Sequence, residues 1–196
     1  MDLGLILGII NGGSGMSFSD VTSSDWFFED VAAAYQLGLM NGVSAYEFAP
    51  KAPLSRAMVA ALLYRMAGSP AAYYGGRQFT DVADGKWYSS AIRWASQMGI
   101  VTGFQDGSFR PNENVTRVQL AAMLFRFAQH QSRDIRARGD LNSYQDGSSV
   151  QAWAKEAMQW AVAKGLISGK SGARLDPSGS ATRAEAATVL VRFLRQ

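Results

Sequence analysis

Three arginines share one local context. Arg56, Arg117 and Arg183 open Ser55-Arg56-Ala57-Met58, Thr116-Arg117-Val118-Gln119 and Thr182-Arg183-Ala184-Glu185, each at the head of an Ala- and Leu-rich run. Each also precedes a further arginine by nine residues, at Arg65, Arg126 and Arg192. A guanidinium is a planar fork that matches the paired oxygens of a carboxylate or phosphate. The chemistry implied is recognition of an anion, not bond making. At the first position of a helix a positive charge opposes the positive end of the helix dipole, at a cost on the order of a few tenths of a kcal/mol. The local sequence gives these arginines no structural role. The expectation is that they bind something negative, helped by the free N–H groups of the helix start. The competing expectation is a surface salt bridge to a nearby Asp, worth under about 1 kcal/mol.

The elements that position them can be read from the neighbouring residues. Ser or Thr at an N-cap accepts a hydrogen bond from a first-turn N–H, and Glu or Gln three residues later completes a capping box. Thr116 with Gln119 and Thr182 with Glu185 fit that pattern; Ser55 can cap, but Met58 cannot return the bond. The same segment recurs within a longer unit. Phe18-Ser19-Asp20-Val21, Phe79-Thr80-Asp81-Val82 and Tyr144-Gln145-Asp146 begin the three copies. Trp26, Trp87 and Trp153 follow, then Gly38, Gly99 and Gly165, then Gly42, Gly103 and Gly169. Phe48, Phe109 and Leu175 stand two residues before Pro50, Pro111 and Pro177, and the helix-opening Arg comes six after each Pro. Fixed offsets in three copies mark an internal repeat.

Within each unit, Val31, Ala34 and Tyr35, or Ile92, Ala95 and Met98, or Ala157, Trp160 and Ala161, have helical spacing. A first helix is therefore expected from the Trp to the Gly, which suits a left-handed C-terminal cap. A loop of about a dozen residues follows, and its Pro fixes the backbone before the second helix starts. Small residues in the second helices, such as Ala121, Ala122, Ala186 and Ala187, let axes approach closely, so the three are expected to form a central bundle. The fold class expected is all-α, three helix-loop-helix repeats. The boundaries are 16–66, 79–128 and 141–195, with 1–15 as an appended apolar peptide and Gly/Ser linker.

Bulk properties exclude several functions. The 196 residues are 47% apolar, enough to bury a core as one or two domains. A net charge of +3, carried mostly by Arg, and the lack of a basic-aromatic stripe argue against nucleic acid. There is no Cys, so disulfides, thiolate zinc sites and cysteine nucleophiles are excluded. No apolar run reaches membrane-spanning length. His130 falls in the polar linker 129–140 and is expected to be solvated. Asp106-Gly107-Ser108 offers one carboxylate, too few for a calcium site. No cofactor, metal or catalytic residue is expected, and the chain is expected not to be an enzyme.

The Phe-x-Asp-Val start, the Trp, the Gly-x-x-x-Gly pair, Asp106-Gly107-Ser108-Phe109-Arg110-Pro111 and the Thr-Arg-Ala-Glu helix opening together resemble the S-layer homology domain, over residues 18–195. Departures are Met58, Val118-Gln119, and Tyr144 and Leu175 in the third copy. The resemblance implies a pseudo-threefold assembly of three prongs around a central three-helix bundle, at the bacterial cell surface. It implies noncovalent anchoring to an anionic secondary cell wall polymer, often bearing pyruvylated N-acetylmannosamine, or to modified peptidoglycan. The binding sites would be grooves between prongs, and the family's binding arginine maps onto Arg56, Arg117 and Arg183.

Other ligand-binding candidates have two readings each. Asp20, Asp81 and Asp146 either turn the chain before the first helix or orient an Arg or a sugar hydroxyl. Trp26, Trp87 and Trp153 read first as core and second as platforms for a sugar ring. Gly42, Gly103 and Gly169 permit a turn or close approach of a ligand. A scaffold that recruits another protein, through its prongs or through the apolar residues 1–10, is the alternative function.

Overall fold

The computed structural model describes residues 15–71 and 77–196; the apolar decapeptide, all but the last residue of its Gly/Ser linker, and residues 72–76 of the first interrepeat linker lie outside them. The described residues form six α-helices and no β-strand. These are α1 (Phe28–Gln36), α2 (Arg56–Met66), α3 (Ser89–Gln97), α4 (Arg117–His130), α5 (Ala152–Ala163) and α6 (Arg183–Leu194). The all-α class follows. Two short 3-10 turns, Leu141–Ser143 and Gly147–Ser149, precede α5. None of the described helices is long and apolar enough to cross a membrane.

Each first helix ends as its glycine demands. Gly38, Gly99 and Gly165 sit at φ of 66°, 68° and 64°, where a side chain would be strained. Gly38 then donates its N–H to Tyr35 C=O and Leu39 to Ala34 C=O, which closes the last turn. The second helices begin on the expected caps. Thr116 with Gln119 and Thr182 with Glu185 form complete capping boxes, whereas Ser55 accepts from Met58 N–H without a return bond. The second helix of the middle repeat runs through His130, two residues further than expected, and the His130 ring meets the edge of Trp94 at 6.0 Å.

The described chain divides into two compact units, one of residues up to Pro53 with Ala181–Gln196, the other Leu54–Ser180. In the first, α1 packs on α6, and Arg195 pairs with the buried Asp30 at 3.1 Å. In the second, α2 packs on α3, α4 packs on α5, and α2 also touches α4. A second helix thus rests on the first helix of the following repeat, and the last returns to the first. Aromatic pairs fix this choice. Tyr64 on α2 meets Trp94 on α3, and Phe125 on α4 meets Trp160 on α5, each at 5.5 Å between ring centres. Trp94 and Trp160 are fully buried, which withdraws roughly 150–250 Å² each from water and contributes on the order of 4–6 kcal/mol apiece.

Neighbouring repeats also meet at the helix starts. The first two N–H groups of a helix have no partner within it. Arg56 and Ala57 give theirs to Glu113 and Pro111 C=O, Arg117 and Val118 to Gly179 and Pro177, and Arg183 and Ala184 to Ala52 and Pro50, at 2.9–3.0 Å. The proline-containing loop of one repeat therefore caps the second helix of the repeat before it.

Candidate functional site

The loop that caps each helix has an unfavourable backbone. Ala49, Arg110 and Asp176 stand directly before Pro50, Pro111 and Pro177 with φ of 57°, 58° and 51°. A left-handed conformation costs a non-glycine residue on the order of 1 kcal/mol or more. Asp20, Asp81 and Asp146 hold it in place. Asp20 accepts from the N–H groups of Phe48 and Ala49 at 2.8 and 2.7 Å, and Asp81 from those of Phe109 and Arg110 at the same distances. Asp146 accepts from Leu175 and Asp176 at 2.7 and 2.8 Å. Burial would raise the Asp146 pKa; the two N–H donors and nearby Arg174 outweigh it and hold the carboxyl below its usual range. Neither reading of these aspartates describes this geometry: each holds the loop before the second helix, about thirty residues on, and not a turn before the first.

The helix-opening arginines close the same loops from the other side. Arg183 Nε donates to Phe48 C=O at 2.7 Å, Arg56 Nε to Phe109 C=O at 2.8 Å, and Arg117 Nε to Leu175 C=O at 2.7 Å. Asp20 is thereby joined to Arg183, Asp81 to Arg56 and Asp146 to Arg117, each through one loop residue. This corrects the expectation that the arginines lack a structural role. Their partners are backbone carbonyls more than fifty residues away, invisible to local reading. A second correction concerns the helix-start N–H groups. Those of the first three residues of α2 are taken by Glu113, Pro111 and Ser55, so they are not available to an anion. The guanidinium alone is left to bind one.

The three guanidinia differ in what remains. Arg183 also donates from Nη2 to Asn41 C=O at 2.6 Å, and Arg117 from Nη2 to Ser168 C=O at 3.0 Å. The equivalent carbonyl for Arg56 is that of Thr102, but Arg77 from the linker occupies it through Nη1, and Phe104 C=O through Nη2, both at 3.2 Å. Beyond Nε, Arg56 has no hydrogen-bond acceptor among the described residues. Its guanidinium carbon lies over the rings of Phe104 and Phe109, 4.8 and 4.7 Å from their centres. It is only 7% exposed, and burial lowers its pKa against the opposing pull of Glu113 and Asp81. Those carboxylates are committed elsewhere, Asp81 to its loop and Glu113 to Arg110 at 3.6 Å.

Arg56 borders a cavity of about 460 Å³ in the second unit, whose lining includes Gly103, Phe104, Gln119, Arg126 and Trp153 and, among the described residues, no Asp or Glu. Trp153, from the third repeat, is 53% exposed, and its indole N–H donates to Gln151 Oε1 at 2.6 Å. The reading of Trp26, Trp87 and Trp153 as core is corrected: all three are more than half exposed, since Phe27, Tyr88 and the α5 face beyond Trp153 supply the buried side chains instead. Trp26 and Trp87 stack edgewise on Phe27 and Tyr88. Gly103 has a physical reason: a Cβ there would lie 2.3 Å from Phe79 Cε1, and Gly42 and Gly169 are crowded likewise by Phe18 and Tyr144. The opening aromatic of each repeat, and at Gly42 and Gly103 a backbone carbonyl as well, leaves no room for a side chain at these positions. Residues missed from sequence are Arg77, Gln151 and Arg126. Arg126 carried a signal, its fixed offset from Arg117, but nothing local says which cavity it reaches.

A sequence model of the S-layer homology domain matches residues 17–58, 78–121 and 143–187, and the chain belongs to that family. Among its relatives, it is 31% identical over 177 residues to an endoglucanase of Bacillus sp. (strain KSM-635), covering 90% of this chain and 18% of that protein. It is 30% identical over 169 residues to the surface-layer 125 kDa protein of Lysinibacillus sphaericus, 85% of this chain and 14% of that one. It is 25% identical over 168 residues to a cellulosome-anchoring protein of Acetivibrio thermocellus, 80% of this chain and 35% of that one. The chain spans a minor part of each relative's length. S-layer and anchoring proteins among them agree with the cell-surface location expected from the motifs.

Proposed function

We propose that this chain is a noncatalytic anchoring module that holds an anionic cell wall glycopolymer, of the pyruvylated N-acetylmannosamine type, through the cavity at Arg56. One observation carries the reading: among the described residues, a buried guanidinium keeps its outer nitrogens without a hydrogen-bond acceptor at the edge of a cavity to which no carboxylate contributes. A carboxylate there gains a charge-assisted, forked contact shielded from water. Trp153 offers an exposed ring face for the sugar, held at its N–H by Gln151. Arg117 and Arg183 are candidates for further sites, though each has spent more of its fork on backbone carbonyls. The surface-layer and cellulosome-anchoring names of its relatives support attachment to a wall, and the catalytic names belong to proteins several times longer than this chain.

The reading carries with it a three-pronged, pseudo-threefold assembly of the repeats as one module. The threefold motif and the packing of α2 on α3 and of α4 on α5 across repeat boundaries support it. The test is a titration of the protein with purified wall polymer before and after removal of its acidic substituents. Binding is expected to weaken with added salt, as partly exposed charge contacts are screened. Equal affinity for the stripped polymer sinks the proposal.

A further inference from the structure

One face of α4 turns toward the Arg56 cavity. Gln119, Ala122, Met123 and Arg126 all line it, at the i, i+3, i+4, i+7 spacing of a single helical stripe. Nine residues of helix amount to about two and a half turns, which puts Arg126 on the face opposite Arg117 and roughly 13 Å further along the axis. The two arginines of α4 therefore serve different loops: Arg117 fixes the Leu175 loop, and Arg126 looks into the cavity that Arg56 borders. Ala122 leaves room between Gln119 and Arg126 on that face.

Arg126 is half-buried and has no hydrogen bond or ion pair among the described residues. Burial lowers its pKa. Its positional equivalents Arg65 and Arg192 are each engaged by a neighbour. A desolvated guanidinium with no partner is costly to keep unless something occupies it. Among the described residues, the cavity lining thus holds two arginines and no acid.

We propose that Arg126 is a second anion-binding residue of the Arg56 cavity, so that this site takes an acidic saccharide through two acidic groups, one at each arginine. The inference rests on the anchoring function proposed above and adds to it the charge pattern that the site selects. A polymer with one acid on each of two neighbouring sugars, or a carboxylate next to a phosphate, satisfies both arginines. A singly acidic sugar satisfies one.

The experiment is calorimetric titration with three probes: singly pyruvylated N-acetylmannosamine, a disaccharide with two carboxylates, and a disaccharide with one carboxylate and one phosphate. The wild-type protein is expected to bind at least one doubly acidic probe about tenfold more tightly than the single sugar, since a charge-assisted contact is worth about that factor. Arg126→Gln is expected to remove this gain, lowering affinity for the doubly acidic probe about tenfold and for the single sugar by clearly less, with the fold intact by thermal melt. Arg126→Lys, which keeps the charge without the fork, recovers part of it. Absence of any gain in the wild type overturns the inference without reference to a variant, and so does a gain that survives in a folded Arg126→Gln protein. Arg56→Gln separates the two layers: wild-type affinity of this variant for every probe removes the anchoring site itself. Weakening by Arg56→Gln alone leaves that site standing and removes only the second contact.

Discussion

At Arg183 the guanidinium reaches two carbonyls, Phe48 through Nε and Asn41 through Nη2. At Arg56 the Nε bond recurs, to Phe109, but the carbonyl that corresponds to Asn41 belongs to Thr102 and is held by Arg77. Both arginines lie over a phenylalanine, 4.5 Å from Phe48 and 4.7 Å from Phe109. The same motif thus yields a guanidinium largely spent on the fold and one with its outer fork open. One nitrogen secures the neighbouring loop; what the other two do depends on a linker residue outside the motif. Repetition of the motif is therefore not repetition of one guanidinium environment.

The largest expected effect sets the two arginines apart directly. Arg56→Ala should weaken binding of the wall polymer about thirtyfold, near 2 kcal/mol, by removing the open fork. Arg183→Ala should lower affinity far less and destabilise the fold by about 2 kcal/mol, because the Phe48 and Asn41 carbonyls lose their donor. Paired thermal melts and polymer titrations check this, and equal affinity losses in the two variants would erase the distinction. Both variants also relieve a cation at a helix start, a smaller term of opposite sign.

The helix caps beneath the two sites provide the next comparison. Thr182→Ala breaks a complete box and should cost about 1 kcal/mol or slightly more. Ser55→Ala loses one bond from Met58 N–H and should cost about half as much. Denaturant titrations of the two variants resolve the difference; a larger loss at Ser55 would mean that the α2 start depends on its cap more than its bonds to the Glu113 loop imply.

Arg77→Ala attacks the cause of the asymmetry. With the Thr102 carbonyl vacated, Arg56 is expected to turn onto it, as Arg183 does onto Asn41. Ligand affinity should fall about tenfold, the worth of one charge-assisted hydrogen bond now competing with the ligand, and melting should hardly change. Unaltered affinity would show that Arg56 stays open without help from the linker.

The smallest effect is a pH response near the Arg56 loop. The Ser108 hydroxyl and N–H, and then Arg110, hold the Asp106 carboxyl down to about 2. A depressed carboxylate contributes stability above its unfolded pKa and loses it as pH falls through the folded value. The Asp106 turn should therefore stay ionised as the pH drops from 5 to 3, while carboxylates with no such partners protonate. Carboxyl NMR titration reads this directly, and a midpoint near 4 for Asp106 would show that the turn opens in solution.

Much of this molecule was legible in the chain. The capping boxes at Thr116 and Thr182, the incomplete cap at Ser55 and the left-handed stops at Gly38, Gly99 and Gly165 depend on residues within four positions of one another. Such features need only local chemistry and fixed helical geometry, so sequence determines them, together with the family that their spacing defines. The tertiary structure decided the rest. It turned Asp20, Asp81 and Asp146 into brackets for strained pre-proline residues, and gave the arginines carbonyl partners in another repeat. It put Trp26, Trp87 and Trp153 at the surface because neighbouring aromatics fill the interior. It also made Arg56 and Arg126 share a cavity although seventy residues separate them. A guanidinium has the same shape and charge wherever it stands; which of its nitrogens stay unspent depends on acceptors that distant parts of the chain bring within 3 Å.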